Sequence, residues 1–218
     1  MKSRTKQNFI LTGIMFAVFA AFTLLVKFID VQPIGPAGSS VGFASANGSF
    51  FDLFGQNAVW DKITDLCLLA ALLSAACFAV LGVLQLIKRK SLFKVDCDLY
   101  ALAGFYILVA VFYLLFELIV INQRPVLVDG ALEASYPSSH TLIVCSFMLA
   151  AIFQIKKRIR NKNLRTGLIV IFTLLIVLTA VGRLLSGMHW LTDVLGGLVL
   201  GASLGMLYIS VARVLEKA

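Results

Sequence analysis

The chain has 218 residues, 60% of them hydrophobic, and a mean hydropathy of +0.96. That composition excludes an ordinary water-soluble domain and divides the chain into membrane spans of about 20 apolar residues each. The net charge of +8 could suit nucleic acid, but the basic residues stand in short blocks between apolar runs, so a bilayer and no nucleic-acid partner is expected.

In chain order, six spans are predicted at about 8–28, 62–87, 99–121, 138–155, 167–185 and 189–211. The fold class is therefore all-α: a polytopic six-helix transmembrane bundle, one membrane-embedded domain over residues 1–218. The first run follows Lys2, Arg4 and Lys6, as in a signal peptide. It is long for one, however, and no small-residue cleavage site precedes Asp30, so it is read as a retained span. Residues 30–61 contain Pro33 and Pro36 but also Phe43, Phe50, Phe51, Phe54 and Trp60. So many aromatics suit a short segment in the interface or dipping back over a site, or a loop folded onto its own protein.

Fifteen of the nineteen basic residues fall before span one and after spans two, four and six. The positive-inside rule then places both termini in the cytoplasm of a multi-pass cell-membrane protein. Lys27, Lys62, Arg124 and Arg183 lie towards the outer side. Cys67, Cys77, Cys97 and Cys145 have no metal or redox spacing and are read as small buried residues, not disulfides. Gly197, Gly201 and Gly205 form a smooth stripe on span six, suited to close packing against span four or five.

Two polar clusters break the apolar pattern at the outer ends of spans three to six, and an extracytoplasmic active site is expected there. One is Arg124-Pro125 with Pro137-Ser138-Ser139-His140; the other runs from Arg183 through His189 to Asp193. Charged groups at membrane depth are costly and usually mark function. His189 and Asp193 are four apart, so on a helix the carboxylate can hold one ring nitrogen. With Arg183 near, this suits a nucleophile or base acting on an anion; the alternative is a capped turn between two helices. Span four begins near Ser138, where free N–H groups capped by Ser138 or Ser139 make a phosphate seat. Two guanidiniums add donors for phosphate oxygens, and two histidines can supply a nucleophile and a proton donor. No carboxylate cluster suggests a metal, and no cofactor is expected.

The spacing Arg-Pro, then Pro-Ser-x-His, then Arg-x5-His-x3-Asp resembles the type 2 phosphatidic acid phosphatase superfamily, which also includes vanadium haloperoxidases and glucose-6-phosphatases. The motifs cover Glu117 to Asp193. Gly182 replaces a usual serine, Ser139 a usual glycine, and Glu117 a usual lysine. The resemblance implies that His189 attacks phosphorus, Asp193 orients it and His140 protonates the leaving oxygen and later activates water. Arg124, Arg183, Ser138 and Ser139 would bind the phosphate. Glu117, seven residues before Arg124 on one helical face, is expected to pair with it or another basic group and act from behind the phosphate site.

The function expected is a metal-independent phosphatase of lipid phosphates or diphosphates, with a phosphohistidine intermediate at the outer interface. Phosphatidate, phosphatidylglycerophosphate and polyprenyl diphosphate all fit. A lipid phosphotransferase is the enzyme alternative, separable by product analysis. A transporter or binding protein for an anionic lipid is the other; it would survive His189→Asn.

Overall fold

Six of the seven α-helices among the described residues are long and apolar enough to cross a membrane. The computed structural model describes residues 2–216, with side chains from Thr5 onward. Lys217 and the side chains of Lys2 and Arg4, counted in the basic blocks, lie outside the described residues. The helices are α1 (Lys2–Phe28), α2 (Ala44–Phe54), α3 (Ala58–Arg89), α4 (Cys97–Leu118), α5 (Ser139–Arg158), α6 (Lys162–Leu185) and α7 (Leu191–Leu215). All but α2 are spans, and the protein is a multi-pass membrane protein.

Local chemistry sets the helix ends. The Asn57 side chain accepts from Val59 and Trp60 N–H to start α3, and that of Asn161 accepts from Leu164 N–H to start α6. Lys88 and Arg89 close α3, and Lys156, Lys157 and Arg158 close α5, where cations oppose the negative helix end.

The bundle is built around α5 and α7. Their most apolar windows are 61% and 56% buried, against 11–22% in the other spans, whose exposed Leu, Val and Ile side chains face lipid. The glycine stripe sets the closeness of this pair, and its partner is span four. A Cβ at Gly197 would lie 2.8 Å from the Ser138 carbonyl oxygen, and one at Gly201 would lie 2.9 Å from Cys145 Cβ. Gly205 packs in the same way on Leu149. The seam fixes the start of α5 against the start of α7, which is where the polar clusters lie.

At the opposite, basic end a wholly buried Asp98 ties α4 to α5. It takes Lys157 Nζ at 2.9 Å and Arg158 Nη2 at 2.8 Å, with Gln154 Nε2 at 2.9 Å. A buried carboxylate is tolerated only where cations and donors offset its charge in this way.

Two expectations need correction. Cys67 and Cys145 are buried, but Cys77 and Cys97 are exposed, because Cys77 lies on the outer face of α3 and Cys97 opens α4; all four are free thiols. Span three was expected to reach residue 121, but α4 stops at Leu118. Arg124 is therefore off the helix and shares no helical face with Glu117.

The segment 30–61 folds back over its own protein. After a 3₁₀ turn at Pro36–Gly38, α2 lies against α6 and α7. Asn47, buried on α2, donates to Thr192 Oγ1 at 3.0 Å and accepts from Thr192 N–H at 3.1 Å. The Phe51 ring sits 5.6 Å from that of Trp190. Its far end is pinned where Asn57 N–H donates to the Ser186 carbonyl at 3.0 Å. Gly187, with φ of +67°, has no room for a side chain there: a Cβ would meet the Gly55 carbonyl oxygen at 2.1 Å.

Candidate active site

Five pieces of chain meet at the end of the α5–α7 seam away from Asp98 and the basic blocks. The first is a hairpin between α4 and α5. Its arms pair antiparallel at Gln123 and Ala134, with Arg124 N–H donating to the Glu133 carbonyl at 3.0 Å and Ser135 N–H to the Asn122 carbonyl at 2.9 Å. This pairing puts Arg124 across from Glu133, and its Nε lies 3.1 Å from Glu133 Oε2. The expected pair with Glu117 does not form. Among the described residues Glu117 makes no ion pair, and it is exposed on the last turn of α4.

The second piece is the start of α5. Ser138 caps it, accepting from Thr141 N–H at 3.4 Å and Thr141 Oγ1 at 3.0 Å. Its own N–H is used by the Asp193 carbonyl at 2.9 Å, so Ser138 joins the two helices, and Ser139 is the serine that lines the cavity with His189.

The third piece is the first turns of α3, which sequence reasoning missed. Asp65 Oδ1 lies 2.9 Å from His140 Nε2. Asp61 Oδ1 lies 2.5 Å from Arg183 Nη1, and Thr64 Oγ1 accepts from the same nitrogen at 3.1 Å. Asp61 and Asp65, one turn apart at the head of an apolar run, were a legible signal of the same kind as His189 and Asp193. The fourth piece is the end of α6, where Arg183 is 1% exposed. Gly182 beside it is explained by α3, since a Cβ would lie 2.5 Å from Thr64 Cγ2.

The fifth is the turn into α7. His189 precedes the helix and Asp193 sits in its first turn, so the one-helix geometry expected for this pair does not hold. Asp193 Oδ2 is 3.8 Å from His189 Nδ1, too far for a hydrogen bond. The carboxylate instead accepts from Trp190 N–H at 2.9 Å, from Asn122 Nδ2 at 3.3 Å and from the Ser135 hydroxyl. Ser135 is the link: its carbonyl and its Oγ each lie 3.1 Å from Nδ1 of His189. With the hydroxyl proton committed to Asp193, Nδ1 is the donor to Ser135 and carries the ring proton. The lone pair is then on Nε2, which is buried and has no hydrogen-bond partner.

Around the site three other buried nitrogens share that condition: His140 Nδ1, Arg183 Nε and Arg124 Nε, the last being close to Glu133 but not aligned for a hydrogen bond. All four belong to one electrostatic group. Burial, then the charges of Arg183, Arg124 and His140, hold His189 well below the ordinary histidine pKa of 6.5, against the opposing Ser135 carbonyl. The lone pair of His189 thus stands in the positive field of Arg183 and Arg124, an arrangement that suits attack on an anion. Among the described residues no group of three His, Cys, Asp or Glu is placed to hold a metal ion.

The sign of that shift gives an expected result. Losing a proton from His189 is easier than usual, so the neutral form persists as pH falls through 6.5. With a phosphate as the anion attacked, and after correction for its ionisation, kcat/KM should show no loss from His189 as pH falls through 6.5, and an acid limb only at lower pH. An acid limb centred at or above 6.5 would contradict the assignment.

Two small cavities flank His189. One is walled by Tyr113, Phe116, Glu117, Tyr136 and Ser139; the other by Phe50, Phe51 and Phe54 of α2 with Leu184 and Trp190.

The sequence model of the PAP2 superfamily matches residues 12–216. A solved structure from Bacillus subtilis, described as the first transmembrane PAP2 type phosphatidylglycerolphosphate phosphatase, aligns with a TM-score of 0.64. The alignment covers 93% of this chain and 96% of that one at 21% identity, a likeness of fold. No curated protein matches the sequence.

Proposed function

This chain belongs to the PAP2 superfamily, and on that footing we propose that it hydrolyses lipid phosphates or diphosphates without a metal, through a phosphohistidine at the membrane–water interface. The observation that carries this reading is the set of unpartnered buried nitrogens on His189, His140, Arg183 and Arg124. Those nitrogens are what a phosphoryl group would require: one nucleophile, one acid and two guanidinium donors.

In this reading His189 Nε2 attacks phosphorus while the bond to the lipid oxygen breaks. His140, held through Nε2 by Asp65, donates its Nδ1 proton to that oxygen. His140 then takes a proton from water, whose oxygen attacks the phosphohistidine. The P–N bond breaks, inorganic phosphate leaves and His189 returns to its neutral form. Positive charge that develops on His189 is met by Asp193 through Ser135. Arg183, Arg124 and the free N–H groups at Ser139 and His140 hold the equatorial oxygens.

Purified protein should release phosphate from a panel including phosphatidate, polyprenyl diphosphate and phosphatidylglycerophosphate, the lipid named for the Bacillus subtilis protein. Release should persist in EDTA and be blocked by vanadate, which imitates five-coordinate phosphorus. Activity that returns only with added magnesium would reject the proposal.

The concentration of basic residues at the other end of the bundle supports an outward-facing site with cytoplasmic termini. In a variant whose native cysteines are replaced, an impermeant thiol reagent should label Asp129→Cys in intact cells and spare Asn161→Cys. The opposite pattern would invert the topology.

A further inference from the structure

We propose that Asn122 is a positioning residue for the reaction at His189: clamped by the segment that folds back over the site, it fixes Asp193 as a hydrogen-bond acceptor and so sets which ring nitrogen of His189 carries the lone pair. This rests on the phosphatase reading and adds to it a residue that the three motifs do not include.

Two wholly buried amides, Asn47 and Asn122, stand between residues 41–47 and the start of α7, and neither can be turned round. Gly42 N–H can only donate, so the Asn122 atom 3.1 Å from it is Oδ1. Nδ2 of Asn122 must then face Asp193 Oδ1 at 3.3 Å and Thr192 Oγ1 at 3.4 Å. Asn47 is set in the same way: its Oδ1 accepts from Thr192 N–H at 3.1 Å, and its Nδ2 donates to the Gly42 carbonyl at 2.7 Å. Gly42 in turn lies hard against α1, where a Cβ would come 1.6 Å from the Val26 carbonyl oxygen. On the hairpin side the Asn122 carbonyl accepts from Ser135 N–H at 2.9 Å, so Asn122 is gripped at both backbone and side chain.

Asp193 Oδ2 accepts from Trp190 N–H and from the Ser135 hydroxyl, and among the described residues Asn122 is the one donor to Oδ1. A proton on Oδ1 would point at the Asn122 amide nitrogen, donor against donor, in a place with no water to relieve it. Asn122 therefore keeps Asp193 in the form that only accepts. The Ser135 hydroxyl must then point its proton at Asp193, His189 Nδ1 must donate to Ser135, and the lone pair falls on Nε2. Without the amide a proton can sit on Oδ1, the order of donors can reverse, and the lone pair is shared between the two ring nitrogens.

The full chain in detergent micelles is assayed with phosphatidate, polyprenyl diphosphate and phosphatidylglycerophosphate, and variants are compared on the lipid that the wild type cleaves fastest. Asn122→Leu, of similar size, should lower kcat by about 10–100-fold, the scale of a lost outer partner, with KM near the wild-type value. Asn122→Asp keeps an acceptor for Gly42 N–H. Its other oxygen faces Asp193, and two carboxylates so close retain one proton between them. While held, that proton can donate to Oδ1 in place of the amide. The kcat of Asn122→Asp relative to wild type should thus be highest at low pH and fall reversibly, as pH rises, to the level of Asn122→Leu, whose own ratio stays flat. A purely structural defect would not reverse with pH.

The titratable groups facing Asp193 are His189 before α7, with Arg124 and Tyr136 on the chain between α4 and α5. Arg183 of α6 and His140 of α5 lie beyond them, each on its α3 carboxylate, Asp61 and Asp65, and residues 41–47 carry none. All are common to the three proteins and cancel in the ratios. Nitrogen-15 shifts of the two histidines should show the Nδ1–H form of His189 in the wild type and a mixture in Asn122→Leu. An unchanged kcat in Asn122→Leu, equal losses in both variants at every pH, or a His189 tautomer that is the same in both proteins overturns the inference while phosphate release stands. If the wild type releases phosphate from none of the three lipids, the phosphatase reading falls, and the histidine shifts still decide the role of Asn122.

Discussion

Replacing His189 with alanine is expected to abolish turnover, by about 10⁵-fold or more, and to remove any acid-labile phosphoenzyme. Nothing else near the cavity is placed to take over. Nε2 of His189 is buried and free of partners, and the ring is fixed through Nδ1 by both oxygens of Ser135. Asp193 keeps its contacts to Trp190 and Asn122 when the ring is gone, so the start of α7 stays in place. The loss should therefore appear in chemistry, with the variant still extracted and monodisperse in detergent. Radiolabelled phosphate trapped at acid pH followed by alkaline recovery measures the intermediate. Turnover within tenfold of wild type would remove His189 from the mechanism.

The second large effect is expected at His140, and it depends on the substrate. With an alkyl leaving group, His140→Ala should lower kcat by about 10²–10⁴-fold, the usual contribution of a placed general acid. With a nitrophenyl ester, whose oxygen leaves without a proton, phosphorylation of His189 should survive. Water activation would still be slow, so the phosphohistidine should accumulate as a burst. Asp65→Asn should weaken the alkyl reaction by a smaller factor, since it loosens the grip on Nε2 and spares Nδ1. An equal loss on both esters with no burst would place His140 in binding and not in proton transfer.

The spans and the two polar clusters were legible because their signals are local. An apolar run of sufficient length spells a helix in a bilayer whatever surrounds it, and a charge inside it stands out. The glycine stripe announced a close contact but not its partner, because α5 and α6 were both candidates until the packing was known. Glu133, Ser135 and Asn122 were invisible for a different reason. Each matters through the hairpin that brings 122–124 beside 133–135, a pairing no periodicity encodes. The error at Asp193 has the same root: a spacing of four was read as a helical turn, but His189 stands outside the helix and Ser135 enters between the two. Glu117 was misassigned because α4 ends at Leu118, before it can carry Arg124 round to it.

The carboxylates that hold Arg183, Arg124 and His140 also bear on how the reaction ends. On the proposed mechanism each cycle would leave an inorganic phosphate, which no longer has a lipid tail in the membrane. Were the guanidiniums bare, they would hold that ion tightly and the enzyme would be clogged by its own product. Asp61 and Glu133, already paired with them, would reclaim them as the phosphate left, so the ion would be exchanged for a neighbour and not torn from an empty pocket. An enzyme arranged in this way gives up some grip on the headgroup and leaves anchoring to the tail. On that mechanism it would keep working in surroundings rich in free phosphate.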